Sequence, residues 1–268
     1  MRTALIRAFA RLLGLSPEPT AKIEACINKL HVASMLIDDV EDNTAIRRGA
    51  PSAHMVYGPA LTINCSHYVV FEAMQELGDP TLQSIFLAEI LALHKGQGMD
   101  IYWRDNHVCP LESEYIQMVA DKTGGLLRLA VRLMCALAES SQPEETLVSI
   151  ADNIGIFYQI QDDYLNLKSG TYQRSKGFCE DLEEGKYSFP VIHSIRAGHD
   201  SADRLQSLLG AKDHALKLEA LEILESTDSF SYARSQAFNY YSTASSQVRS
   251  LSGDTKPLEQ ALSAIILI

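Results

Sequence analysis

An all-α fold, a single large helical bundle, is what this sequence predicts, and three observations point to it. Apolar residues recur at three- and four-residue spacing over long stretches, as in Ile23, Ile27, Leu30, Ala33 and Ile37, the period that lines one face of a helix. Alternating runs of the kind that make strands are scarce. No βαβ rhythm, glycine-rich phosphate loop, low-complexity tract or short-period repeat interrupts the pattern. At 268 residues and 46% hydrophobic content the chain can bury a substantial core, and one domain over 1–268 is the economical organisation.

The chain opens on Arg2, Leu5, Ile6 and Phe9 as though entering a helix already under way, so some upstream residues are expected to be missing. Punctuation falls at 16–19, 49–51, 78–80, 142–143, 169–190, 210 and 252–257, leaving pieces of mostly helical length. The apolar stretch 30–37 runs into Asp38-Asp39-Val40-Glu41-Asp42. On a helix Asp38 and Asp42 stack one turn apart, so their carboxylates share a face and can chelate hard cations together. A single cluster of this kind is more often a solvated acidic helix end. Leu126, Leu129, Val131, Leu133 and Leu137 mark a further helix. Beyond it, Gln159-Ile160-Gln161-Asp162-Asp163-Tyr164-Leu165-Asn166 again follows an apolar stretch and sets an acid and an amide at i and i+4.

Two acidic runs in apolar surroundings need their charge compensated. Magnesium suits that task, because it takes oxygen ligands and bridges one or two carboxylates to substrate phosphates. Cations accompany both runs: Arg47 and Arg48 after the first, Lys122-Thr123 between them, Lys176 and Lys186 after the second. Arginines can hold diphosphates by paired hydrogen bonds and lysines as point charges.

A net charge of −11 argues against a nucleic-acid footprint, which requires a basic patch. No apolar run reaches the roughly 20 residues of a membrane span, and 264–268 is far too short. Cys26, Cys65, Cys109, Cys135 and Cys179 show no paired spacing, which favours reduced thiols in a cytoplasmic protein over a disulfide framework or zinc site.

These motifs, in this order, resemble the trans-isoprenyl diphosphate synthases, particularly fungal geranylgeranyl diphosphate synthases and the prenyltransferase domains of fungal chimeric terpene synthases. The resemblance spans nearly the whole chain and includes His94-Lys95-Gly96-Gln97-Gly98-Met99-Asp100, Lys122-Thr123-Gly124-Gly125, Gly185-Lys186 and Phe189-Pro190. It implies an isoprenoid-synthase bundle with a central active-site cavity. Asp38, Asp42 and Asp162 are then expected to hold three Mg2+ ions on an allylic diphosphate, with Asp39, Asp163 and Asn166 around them. Arg47, Lys122, Lys176 and Lys186 would grip the leaving group. Arg2, His31 and Arg48 would bind isopentenyl diphosphate, and Gln159, Thr123 and Phe157 would face the developing allylic cation. The allylic carbocation is attacked by the isopentenyl double bond, and released diphosphate takes the proton. The family's Gly-Lys-x-x-Arg is represented here only by Arg2, which again suggests a longer parent, one fused to a terpene cyclase domain. The resemblance also implies a homo-oligomer, a dimer or a hexamer.

By the same resemblance, residues four and five before the first acidic run floor the product tunnel. Here they are Ala33 and Ser34, small enough to admit chains beyond fifteen carbons. Val70, Phe71 and His94 form the next floor, for a C20 product with C25 and C30 as alternatives. A class I terpene cyclase is the nearest rival, but its N-x-x-x-S-x-x-x-E site is missing around Asn153 and Asn166. A di-iron bundle needs E-x-x-H pairs, which do not occur. A noncatalytic synthase subunit or scaffold is a third reading, disfavoured by two intact acidic runs.

Overall fold

A computed structural model describes residues 2–47, 49–168 and 178–268. Its described residues form fourteen helices: α1 (Arg2–Leu12), α2 (Pro17–Glu41), α3 (Ala53–Tyr57), α4 (Pro59–Leu77), α5 (Pro80–Asn106), α6 (Glu112–Lys122), α7 (Gly125–Leu137), α8 (Glu144–Lys168), α9 (Glu180–Glu184), α10 (Phe189–Arg196), α11 (Ala202–Leu208), α12 (His214–Ser226), α13 (Ser229–Ser250) and α14 (Lys256–Ser263). The all-α expectation holds with one addition. Between α2 and α3 the segment with Gly49 at φ 80° folds into a minimal antiparallel hairpin, β1 (Ile46–Arg47) against β2 (Ala50–Pro51).

Local sequence explains the long helices. Proline occupies the first turn of α2, α4 and α5, where its missing N–H costs nothing. Asp79 additionally caps α5 by accepting hydrogen bonds from the Thr81 and Leu82 amides at 2.7 and 3.2 Å. Gly78, in the left-handed region, ends α4, and Asn43 and His107, also left-handed, stand just beyond α2 and α5.

α7 is the innermost helix, burying Leu126, Leu127, Leu129, Ala130, Val131, Leu133 and Met134. It packs against α1, α2, α5 and α8, while α13 covers α8 and α4 lies on α2. The polar side of α7 pairs Arg128 with Glu89, Asp121 and Asp152, and the polar ends of α2, α5 and α8 line a shared opening. No described helix is long and apolar enough to cross a membrane.

Candidate active site

Enclosed by α2, α4, α5, α6, α8 and the 180–188 segment is a cavity of about 1090 Å³. On α2 the helical period brings His31, Ser34, Asp38 and Asp42 to its wall. Arg2 joins them from α1, its guanidinium 3.1 Å from His31 Nδ1. Asp39, one residue off this face, is buried and clamped by Arg47, which donates through Nε at 2.7 Å and through Nη2 as well. The same Arg47 Nη2 lies 3.4 Å from Asp38.

α5 supplies the partners that fix this acidic end. Gln97 donates to Glu41 at 2.8 Å and to Asp38 at 3.3 Å. Arg104 donates to Asp42 at 2.5 Å and to the Glu41 carbonyl at 3.2 Å. Lys186, from the loop after α9, reaches the other Asp42 oxygen at 2.8 Å. Burial pushes the Asp42 carboxyl up, but Lys186, Lys122 and Arg104 together outweigh it and hold the group below its ordinary range. Burial likewise opposes the charge on Lys122, yet Asp100 at 2.6 Å and Asp38 at 3.8 Å keep it firmly cationic. Lys186 is held protonated against burial by Asp42, Glu184 and Asp181.

Across the cavity, α8 contributes Tyr158, Gln159, Asp162 and Asp163. A hydrogen-bonded chain organises them: Thr123 Oγ1 donates to Gln159 Oε1 at 2.8 Å, and Gln159 Nε2 donates to Asp163 Oδ1 at 2.8 Å. The second Asp163 oxygen accepts from Tyr115 Oη at 2.6 Å and the Phe189 amide at 2.7 Å. Burial pushes Asp163 up to about 6 despite these donors. Below the polar residues the wall becomes apolar, with Val70, Phe71, Met74, Phe86, Leu87 and Ile90.

The structure therefore brings to one cavity Arg2, His31, Ser34, Asp38, Asp42, Arg47, Val70 and Phe71, together with His94, Lys122, Thr123, Gln159, Asp162, Asp163 and Lys186. Four expected residues lie off it, Asp39 in its clamp with Arg47 and three more. Ala33 is buried toward α4, where its carbonyl accepts from Ser66 Oγ at 2.9 Å. Asn166 is buried beside α9, accepting from the Asp181 amide at 3.3 Å. Phe157 points to the opposite side of α8 and packs on Tyr241 at 5.5 Å; its neighbour Tyr158 is the aromatic residue at the cavity. Arg48 and Lys176 lie outside the described residues.

The sequence model for polyprenyl synthetases matches residues 1–225. The chain belongs to the polyprenyl synthetase family. It is 48% identical over 238 residues to geranylgeranyl pyrophosphate synthase olcC of Penicillium canescens, covering 87% of this chain and 71% of that one. Geranylgeranyl pyrophosphate synthase 2 of Zymoseptoria tritici is 46% identical over 87% of this chain and 72% of its own. Among solved structures, a geranylgeranyl pyrophosphate synthetase from Pyrococcus horikoshii Ot3 superposes with a TM-score of 0.89 at 22% identity, over 99% of this chain and 84% of that chain. A decaprenyl diphosphate synthase from Rhodobacter capsulatus gives 0.87 at 21%, over 98% and 84%. These two show that the polyprenyl synthetase fold is shared.

Several polar groups of this polyprenyl synthetase were given no role by sequence reasoning: Gln97, Asp100, Arg104, Tyr115, Asp181 and Glu184. Gln97, Asp100 and Arg104 recur at three- and four-residue spacing on α5, a polar stripe on a helix that also contributes Phe86, Leu87 and Ile90 to the cavity. That stripe was the available signal. Asp181 and Glu184 sit in punctuation-rich sequence that offered no periodicity to read.

Proposed function

We propose that the chain is a magnesium-dependent trans-prenyltransferase that condenses isopentenyl diphosphate with an allylic diphosphate, giving geranylgeranyl diphosphate (C20). The observation that carries this is a single cavity with carboxylates from α2 and α8 facing each other at its polar end and apolar side chains lining the rest. The 46–48% identity to curated geranylgeranyl pyrophosphate synthases supports the C20 assignment.

The donors present fit magnesium. Asp38, Asp42 and Asp162 offer carboxylate oxygens only, the ligand class this ion takes. Among the described residues no three carboxylate, imidazole or thiol groups form a ready-made cage. The remaining coordination then falls to water and substrate phosphate oxygens, as is usual for this ion. We assign three ions to these aspartates. When bound, magnesium neutralises charge that develops on the leaving diphosphate.

The chain's own groups do the rest. Lys122 and Lys186 remain cations at the same end and hold the departing diphosphate; Arg47 adds a fork of donors. Arg2 and His31 bind isopentenyl diphosphate at the neighbouring wall. The Tyr158 ring and the Thr123–Gln159 pair face the allylic carbon, where an aromatic face and oriented dipoles stabilise positive charge. Apolar walls exclude water from the cation and accommodate the growing chain. The isopentenyl double bond attacks the cation, and the released diphosphate accepts the proton that is lost.

Leu61, Tyr68 and Leu91 on α4 and α5 are exposed and lie outside the cavity, apolar side chains that support a homo-oligomer. The reaction is tested by incubating the protein with magnesium, an allylic primer and labelled isopentenyl diphosphate. Linear C20 diphosphate is expected, and a shorter product from Val70→Tyr. Cyclic hydrocarbon instead of linear diphosphate, or no elongation, defeats the proposal; unchanged length in Val70→Tyr defeats the floor assignment.

A further inference from the structure

The break between α6 and α7 carries Lys122 and Thr123 into the cavity, and two glycines from different helices press on it. A Cβ at Gly155 of α8 would stand 2.5 Å from Gly124 Cα and 3.0 Å from Gly124 N. A Cβ at Gly96 of α5 would stand 2.8 Å from Lys122 N and 2.9 Å from the Met118 carbonyl. Both sets of neighbours are backbone, so neither can rotate away. Carbon atoms pack at about 3.5–4.0 Å, so any side chain at Gly155 moves one backbone by roughly 1 Å.

One helical turn beyond each glycine stands the group that holds the same segment. Asp100, four residues after Gly96, accepts from Lys122 Nζ at 2.6 Å. Gln159, four residues after Gly155, accepts from Thr123 Oγ1 at 2.8 Å. Residues at i and i+4 share a helix face. Each helix thus presents the same pair, a glycine for close backbone approach and an acceptor one turn on. Gly98, also on α5, meets nothing within 4 Å and belongs to neither pair.

We propose that Gly96 and Gly155 are positioning residues that set the depth of Lys122 and Thr123 in the cavity, Gly96 governing the grip on the allylic diphosphate and Gly155 governing the groups that face the allylic cation. This rests on the prenyl-transfer reading above. A displacement of the size a methyl forces is enough to cost about 10²-fold in rate when the displaced groups act on the reacting centre.

The test uses the full chain with magnesium, allylic primer and isopentenyl diphosphate. Competent sites are counted by calorimetric titration with inorganic pyrophosphate and magnesium. Wild-type turnover comes first; if it is missing, the prenyl-transfer reading fails, and the positioning claim is judged only against an active wild type. Gly155→Ala is then expected to lower kcat per competent site about 10²-fold with both KM values changed less than about threefold. Gly96→Ala is expected to raise KM for the allylic diphosphate about tenfold, and Gly98→Ala to match wild type. Asp100→Asn preserves shape, cannot crowd the backbone, and must reproduce the Gly96→Ala signature; it carries the test if a glycine variant fails to fold. Losses that track the number of competent sites, with kcat per site and KM unchanged, overturn the proposal, as does an unaltered allylic KM in Asp100→Asn.

Discussion

The acidic run that ends α2 is surrounded by fixed cations, whereas Asp163, in the run on α8, is surrounded by neutral donors. Asp42 lies between Arg104 and Lys186, and Asp38 and Asp39 share Arg47. Asp163 instead accepts from a phenol, a backbone amide and a side-chain amide. Their carboxyls shift in opposite directions: cations hold Asp42 down against burial, while burial prevails at Asp163 and lifts it to about 6. Asp163 spends both of its oxygens on donors of the protein itself, whereas Asp38 and Asp42 stand at the cavity wall among cations. Hydrogen bonds from neutral groups fix the orientation of a carboxylate. We assign Asp38 and Asp42 to ligation and Asp163 to holding Gln159 and the polar end of α8 in place.

Removal of a ligand should separate the two regions most widely. Asp38→Ala is expected to lower kcat/KM by about 10³-fold or more in steady-state assays, since it removes a ligand for the ions that bind the diphosphate and stabilise its departure; a loss under tenfold would break the assignment. Arg104→Met should destabilise the fold by about 3 kcal/mol in chemical denaturation, because Asp42 is only 3% exposed and keeps a single close cation. Tyr115→Phe tests the neutral side and should cost about 2 kcal/mol, the scale of one buried acceptor losing a donor. If Tyr115→Phe proved the costlier of the two, the contrast between charge and hydrogen bonding would fail. The smallest effect belongs to a group that touches neither run directly. Burial lowers His193, which stacks on Tyr232 and bonds Ser229 at 2.9 Å. Its neutral form is thus favoured by folding, so its contribution is complete above the ordinary histidine range and is lost as pH falls through the lowered value. Thermal melts of His193→Gln should show a shallower fall in Tm than wild type between about pH 7 and 5.

How much of this was legible in the sequence differs by element. Helical periodicity and proline punctuation locate α2 and α5, since each begins on a proline and follows a marked break, whereas the Gly58-Pro59 start of α4 was not among the breaks read. The turn at Asp228 carries no such mark, and Pro110 and Gly124 in the turns at 107–111 and 123–124 were not read as breaks, so the helices these turns separate read as continuous or ambiguous pieces. The residues at the cavity came mostly from resemblance, and their placement from helical phase. Phase succeeded for Asp38 and Asp42, whose helix is amphipathic at its end. The resemblance failed for Phe157, and phase could not correct it, because α8 is buried on both sides, against α13 and against α7, so apolar pattern alone could not say which aromatic faces the cavity. Arg104 was missed for another reason: its partner is 62 residues away, and no local spacing reports such a pairing.

The central claim is that carboxylates from α2 and from α8 serve one diphosphate. Calorimetric titration of inorganic pyrophosphate with magnesium tests it most directly, comparing wild type with Asp38→Asn and Asp162→Asn. Magnesium-dependent binding in wild type, weakened about tenfold or more by either substitution alone, is the result the account predicts. Wild-type affinity retained in Asp162→Asn would contradict it.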